Sequence, residues 1–446
     1  MNSTKSAREI ALKALYKVDA EQGYSNLVLD EIFSTEKVNA IDKPLITEIV
    51  YGVITRKLTL DYIIGLYSKI KGNKISPWIK NILRIGLYQI FYLSKIPVSA
   101  ACNESVKLAR RYGHQASAGF VNAVLRKAAN SPIDYNQFNG ADNVKRISII
   151  YSHPEWIVKR WIDEFGKDFT EELCKANNEK PHIAIRVNTL KTNIIKLTDL
   201  LNSKGIEFIE SNFLDLALIL RQGNPINELY ESGMYTVQDE AAMLVSEILD
   251  PKPEDIVADV CSAPGGKTTH IAQLMENQGK IFAYDIHPHR VELVKKAAER
   301  LNVKIIESKV HDATQLIDNL IEKCDKVLVD APCSGLGVIR RKPEIKWSRK
   351  EEDLNELSKL QKKILNISSK YVKSGGRIVY STCTLNRGEN EDIVYDFLKN
   401  NKNFTLESCN IKSYDIDSIN KKTQYIHLYP SIHKTDGFFI ASMKKT

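Results

Sequence analysis

The chain has 446 residues, 43% hydrophobic and 26% charged, with a formal net charge of +8. This length is too great for one compact core, so two or three domains are expected. No stretch of about 20 apolar residues occurs and the opening MNSTKSAREI has no apolar signal core, so a cytoplasmic protein without a membrane partner is expected.

In chain order, residues 1–130 read as helix throughout. AREIALKALYKV, KPLITEIVYGVITRKLTLDYIIGLYSKI and SPWIKNILRIGLYQIFYLSKI carry apolar residues at three- and four-residue intervals. Pro97 interrupts the pattern, ACNESVKLARRYG resumes it, Gly113 is a plausible stop, and GFVNAVLRKAAN is a final helix. Residues 131–150 are polar and turn-rich and read as a linker. Residues 151–235 mix PEWIVKRWIDEFG, FTEELCKANNE and KTNIIKLTDLLNSKG as helices with HIAIRVNTL, FIESNFLDLALIL and MYTVQD as strands, a small α+β module.

From residue 236 to 446 the pattern becomes strand–helix alternation. DIVADV, KIFAYD, KIIESK, KVLVDA and RIVYST are strands. KTTHIAQLM, HRVELVKKAAERL, TQLIDNLIEK and DLNELSKLQKKILNISSKYV are helices. Such alternation implies a mainly parallel, doubly wound sheet, a Rossmann-like α/β domain. Ligands of such sheets bind beyond the carboxyl ends of the strands, so the strand ends are the place to look for chemistry.

Charge is unevenly spread. Residues 51–127 hold 13 Lys/Arg against 2 Asp/Glu, while the rest of the chain is close to neutral. Solvated helix faces are the plain reading; a surface that tracks RNA phosphates is the functional one. The seven cysteines, Cys102, Cys174, Cys261, Cys324, Cys333, Cys383 and Cys409, form no C-x-x-C pair, so no metal is expected. Their odd number argues against a disulfide framework, and the simplest reading of any one of them is a small buried hydrophobe.

The first strand of the C-terminal part ends at Asp259 and runs into VCSAPGGKTTH. Pro264 fixes a turn there, and Gly265 and Gly266 allow close approach of a ligand. A phosphate-binding loop would need glycine where Cys261 stands, and the G-x-G-x-x-G dinucleotide fingerprint is absent. An adenosyl cofactor without phosphates, such as S-adenosylmethionine, fits better. Asp285 ends the next strand, where an acid can accept ribose hydroxyls, and Asp312 follows the third strand, where it can meet the adenine. A helix cap is the alternative reading for each.

DAPCSG places Asp330 and Cys333 after the fourth strand, and STCT places Cys383 after the fifth. Carbon 5 of cytosine is a poor nucleophile. A thiolate added to carbon 6 turns the ring into an enamine that can attack a methyl sulfonium, and either cysteine is placed to be that thiolate. Asp330 can hold the cytosine edge and bias its protonation. Composition and spacing leave open which cysteine attacks.

DVCSAPGGKTT, VLVDAPCSGLGVIRRKPEIKW, IVYSTCTLNRGENEDIV and DGFFIA, with HPEW, RVNTLK and VQDEAAMLV upstream, resemble the RNA cytosine-5 methyltransferase family. CNESVKLARRYGHQASAGFVNAVLRK resembles the NusB-like RNA-binding domain. The combination is similar to the bacterial subfamily acting on cytosine 967 of 16S ribosomal RNA, naked or early in assembly. The resemblance implies that Cys383, in the TC motif, is the nucleophile and that Cys333, in the PC motif, assists product release. It implies that Cys261, Ser262, Ala263, Pro264, Gly265, Gly266, Lys267, Asp285, Asp312 and Asp330 bind S-adenosylmethionine. Two departures are small: Ser262 stands where the family often has Ala, and PSIHKTDGFF lacks the usual His directly after its Pro.

Other readings are a non-enzymatic RNA-binding antitermination factor, a DNA cytosine methyltransferase, or action on another RNA such as tRNA. The intact cofactor loop argues against the first. The Ser-Gly after the PC cysteine and the second cysteine argue against the DNA enzyme. Nothing demands more than a monomer.

Overall fold

The computed structural model describes residues 6–21, 23–131, 142–212, 214–408 and 424–446. The chain divides into two compact units, Met1–Glu179 with Ile339–Arg349, and Lys180–Val338 with Lys350–Thr446.

The first unit is helical: α1 (Ala7–Glu21), α2 (Ser25–Thr35), α3 (Lys43–Thr55), α4 (Lys57–Tyr67), α5 (Pro77–Tyr92), α6 (Val98–Tyr112), α7 (Gln115–Asn130), α8 (Asn143–Tyr151), α9 (Glu155–Phe165) and α10 (Lys167–Ala176). In α1 the buried residues Ile10, Ala11, Ala14, Leu15 and Val18 line one face, as the sequence spacing requires. Ser76 caps α5 by accepting from the Ile79 amide, with Pro77 at the first helical position. Pro97 is the N-cap of α6, so the interruption is a helix boundary, and Gly113 caps the other end. Gly52 is required where α3 meets α5, because a Cβ there would lie 1.9 Å from the Tyr88 ring.

Part of the positive block turns inward. The buried Arg84 guanidinium grips Asp61 through Nε at 2.7 Å and Asp19 through Nη1 at 2.9 Å. Lys57 pairs with Asp19 and Lys80 with Asp61. These cations organise the helical core, whereas Lys69, Lys71, Lys74, Lys95, Arg110, Arg126 and Lys127 are exposed.

Helix α8 begins inside the stretch read as a linker, capped by Asp142; residues 132–141 lie outside the described residues. Its buried Ile147 and Ile149, the 2.6 Å bond from Thr59 Oγ1 to the Ile149 carbonyl and the 2.9 Å bond from the Leu58 amide to Ser152 Oγ join it to α4. The first unit therefore takes in α8–α10 and ends at Glu179. A short amphipathic helix flanked by polar residues was masked by its surroundings.

In the second unit, β1 (Ile183–Val187), α11 (Ile194–Ser203), β2 (Phe208–Glu210), β3 (Ala217–Leu220), α12 (Glu228–Glu231) and β4 (Tyr235–Val237) build a small antiparallel sheet of order β2-β3-β1-β4. Next come α13 (Glu240–Leu249), β5 (Ile256–Asp259), α14 (Gly266–Leu274), β6 (Lys280–Asp285), α15 (Pro288–Leu301), β7 (Ile306–Val310) and β8 (Cys324–Asp330). After β8 the chain crosses into the first unit at Ile339, forms α16 (Ile345–Ser348) there, and leaves it after Arg349. Within that unit Lys346 is buried, its Nζ donating to the Thr55 and Ser152 carbonyls at 2.9 and 2.8 Å. Trp347 Nε1 donates to the Ile54 carbonyl, and Glu344 accepts from the Ser25 amide and hydroxyl.

The second unit resumes with α17 (Glu351–Ser368), β9 (Val372–Thr382), α18 (Glu391–Asn400), β10 (Phe404–Glu407), β11 (Ile426–Leu428), α19 (Pro430–His433) and β12 (Phe438–Lys445). The large sheet runs β10-β12-β9-β8-β5-β6-β7, with β11 paired to β12. Strands β5 to β9 are parallel, as expected, and β12 lies antiparallel on β9. One expected helix is absent. TQLIDNLIEK forms only a single turn at Asp318–Leu320, because the Tyr371 hydroxyl takes the Ile317 amide and donates to the Gln315 carbonyl.

Candidate active site

The parallel sheet sets the site's geometry. Register pairs Asp330 at the end of β8 with Ser381 near the end of β9. The two loops that follow thus leave neighbouring strands at the same edge, and they bring Cys333 Sγ to 3.3 Å from Cys383 Sγ. Both are half-buried, whereas Cys102, Cys174 and Cys324 are buried; Cys409 lies outside the described residues. Backbone bonds hold this contact: the Gly337 amide donates to the Cys383 carbonyl at 2.9 Å, and the Gly437 amide to the Gly337 carbonyl at 2.8 Å. A Cβ on Gly337 would fall 2.1 Å from the Gly437 oxygen, so the loops tolerate nothing larger than glycine there.

Beside the thiols, Lys267 Nζ donates to Asp330 Oδ2 at 2.6 Å, and Ser381 Oγ donates to Oδ1 at 2.9 Å. Burial alone would push the Lys267 ammonium towards deprotonation. Asp330, followed by Cys383 and Asp259, more than offsets it and raises the pKa above 10.5. Lys267 is therefore a fixed positive charge facing the cysteine loops. The Cys333 thiol is pushed well above its usual range, first by its hydrogen bond to Cys383, then by burial, and then by the charges of Cys383 and Glu389.

The loop Cys261–Lys267 is held from three sides. Thr268 Oγ1 donates to Asp259 Oδ2 at 2.7 Å, Ser262 binds the Tyr284 carbonyl, and Arg290 Nη2 donates to the Ala263 carbonyl at 2.9 Å. Asp259 is fully buried, and burial raises its pKa to about 7. The Ala263–Pro264 peptide is cis, and Gly265 at φ 100° caps α14. A Cβ on Gly266 would meet nothing nearer than Gln238 at 3.7 Å, so that glycine leaves open space at the helix start. Asp285 ends β6, and Asp312 follows β7. Asp285 accepts from the His287 amide and lies 3.2 Å from Arg290 Nη1; Asp312 accepts from the Thr314 amide.

Two residues important to this arrangement had no sequence motif to announce them. Arg186 on β1 is completely buried and bonds the Gly266 carbonyl, Gln238, Gln273 and Thr269. It fixes the start of α14 from the small sheet, and burial lowers its pKa to about 9. Glu389 lies buried between the cysteine loops. An arginine in RVNTLK and a glutamate in GENED offer only a hint of burial to a reader of sequence.

The donor set suits a phosphate-free cofactor. The one lysine of the loop points to Asp330 and away from any phosphate cradle. The strand-end acids Asp285, Asp312 and Asp330 offer acceptors to hydroxyl and cationic groups.

Each part of the chain is similar to known proteins. Residues 246–444 match the family described as 16S rRNA methyltransferase RsmB/F, residues 5–130 the NusB family, and residues 153–227 the ferredoxin-like domain of RsmF/B-like methyltransferases. The chain is 38% identical over 445 residues to a probable ribosomal RNA small subunit methyltransferase B of Bacillus subtilis, covering 99% of each. The chain belongs to the RsmB/F methyltransferase family. A Photorhabdus laumondii ribosomal RNA small subunit methyltransferase B is 31% identical over 100% of each chain. Among solved structures, that of PH0851 superposes with a TM-score of 0.83 at 28% identity over 100% of both chains. NSun6 from Pyrococcus horikoshii with SFG superposes with a TM-score of 0.60 at 26% identity, covering 66% of this chain and 99% of that one. The RsmB/F membership makes this chain an RNA methyltransferase with a NusB-like helical part, a ferredoxin-like part and an α/β catalytic part.

Proposed function

We propose that the chain methylates carbon 5 of cytosine 967 in 16S ribosomal RNA, using S-adenosylmethionine and a covalent bond from Cys383 to carbon 6. The observation that carries this reading is the thiol pair, 3.3 Å apart beside the Lys267–Asp330 ion pair. Family membership and relatives named for the ribosomal small subunit support the substrate class. A solved relative containing SFG, an analogue of S-adenosylmethionine, supports the donor.

Cys383, as thiolate, adds to carbon 6 while Asp330 holds the cytosine edge and Lys267 balances the negative charge. The ring electrons move to carbon 5, which forms its bond to the methyl group. S-adenosylmethionine, which Cys261–Lys267, Asp285, Asp312 and Asp330 would hold, would supply that methyl group as an electrophile, its sulfur–methyl bond breaking to leave S-adenosylhomocysteine. Loss of the carbon 5 proton to a base restores the double bond and expels Cys383. Cys333, a thiol in contact with Cys383, gives its proton to the departing sulfur and so assists release.

Bisulfite sequencing of 16S ribosomal RNA from cells lacking the gene tests the assignment. Cytosine 967 is expected to convert fully in the deletion strain and to be protected when the gene is restored. Equal protection in both strains would refute the target.

The exposed cations provide a second test. Lys127 sits over the Tyr67 ring, 5.8 Å from its centroid. That contact brings the end of α7 to Tyr67 at the end of α4, and Lys69, Lys71 and Lys74 follow Tyr67 in the chain. We expect replacing Lys69, Lys71, Lys74 and Lys127 together by glutamine to weaken RNA binding. The slope of log affinity against log salt should flatten by up to about 3, at roughly 0.7 per phosphate contact. An unchanged slope in a titration at several salt concentrations would remove this surface from the RNA footprint.

A further inference from the structure

Glu389 is a carboxylate with 0% exposure, and its hydrogen-bond donors are neutral groups drawn from both cysteine loops and from α17. Oε1 accepts from the Ser334 amide at 2.8 Å and Gln361 Nε2 at 3.0 Å. Oε2 accepts from Ser334 Oγ at 2.6 Å, Asn386 Nδ2 at 3.0 Å and Thr384 Oγ1 at 3.4 Å. Ser334 Oγ and Thr384 Oγ1 are themselves 2.7 Å apart. Ser334 follows Cys333 directly, and Thr384 follows Cys383 directly. Gln361 also donates to the Pro332 carbonyl, and the Tyr380 hydroxyl donates to the Glu389 carbonyl.

A buried charge is retained only where donors satisfy it, and a neutral side chain would fill the same space at a lower desolvation cost. Loop fixation alone needs acceptors; it does not need a full negative charge. We propose that Glu389 is a positioning residue for the two thiols, clamping the PC and TC loops through one carboxylate whose bonds to the Ser334 amide and hydroxyl set it against the residue next to Cys333. This rests on Cys383 being the nucleophile.

Charge placement supports it. Lys267, positive, faces the Cys383 side, since Cys383 is among the charges that hold its proton on. Glu389, negative, is among the charges that push the Cys333 thiol upward, after Cys383 itself and burial. Glu389 touches no reacting atom in this scheme and acts through Ser334 and Thr384.

The test uses the full-length protein carrying Glu389→Gln, which keeps the shape and removes the charge. S-adenosylmethionine affinity and the KM for RNA should stay within about twofold, while kcat falls by about 10- to 100-fold. In a Cys383→Ala background, where Cys333 is measured alone, iodoacetamide alkylation of Cys333 should move to lower pH with Glu389→Gln. Below the thiol's titration range it should proceed about tenfold faster. A merely structural role would not move that profile. Ser334→Ala and Thr384→Val, each removing one hydroxyl from the carboxylate, should lower kcat in the same direction by smaller factors. They keep the test decisive should Glu389→Gln fail to fold. Wild-type kcat with an unmoved alkylation profile, or wild-type kcat in both hydroxyl variants, overturns the proposal. Retention of the covalent RNA adduct by Cys383→Ala would instead overturn the nucleophile assignment, an outcome independent of the Glu389 measurements.

Discussion

Cys383→Ala is expected to reduce methyl transfer by at least about 1,000-fold and to abolish the covalent protein–RNA complex. Cys333→Ala is expected to do the reverse to the complex: it should accumulate and survive denaturing electrophoresis, because addition proceeds while release is slowed. The asymmetry is argued from position. The parallel pairing of β8 and β9 delivers both sulfurs to one spot. Cys383 is among the charges that hold the proton on Lys267, after Asp330. Burial and its own hydrogen bond keep Cys333 protonated. A complex formed by Cys383→Ala and missing from Cys333→Ala would exchange the two roles.

The second large effect is expected at Lys267. Lys267→Met should lower kcat by about 100-fold or more, since it removes the positive charge beside both Asp330 and Cys383. It should also destabilise the fold by about 2 kcal/mol, less than the loss for a fully buried pair because Asp330 remains 28% exposed. Adding Asp330→Asn should recover much of the stability, since no orphaned carboxylate is left, and none of the activity. Thermal melts and single-turnover rates on the single and double variants measure both. Equal stability of the single and double variants would show that the ion pair contributes nothing to the fold. The pH dependence has a defined sign. The Lys267 pKa is raised above 10.5 in the folded protein, so its contribution is complete below pH 10.5 and is lost as pH climbs through the raised value. Lys267→Met should lack that alkaline loss.

Much of this site was legible in the sequence because it sits on strand ends. Asp259, Asp285 and Asp330 end their strands as expected, and Asp312 follows the next. The CSAPGGK loop opens a helix as its Gly-Gly step suggests. What could not be read was contact between distant segments. Cys333 and Cys383 meet because β8 and β9 pair in one register, and no spacing rule states a register. Glu389 looks like an acid ahead of a helix, and its real partners come from three separate stretches of chain. Arg84 counted towards a nucleic-acid surface, yet it is spent inside on Asp19 and Asp61. TQLIDNLIEK had helical spacing, but a tyrosine hydroxyl took the backbone bonds a helix needs.

The excursion at Ile339–Arg349 bears on how this protein can be cut. The crossing lies six residues beyond Cys333, so the stretch of chain that carries this cysteine runs on into the helical unit. A fragment starting at residue 180 would strip Lys346 and Trp347 of the carbonyls that receive them. Amputation is therefore the wrong tool for asking what the helical half contributes; surface charge exchange in the intact polypeptide asks the same question and leaves Lys346 and Trp347 with their partners.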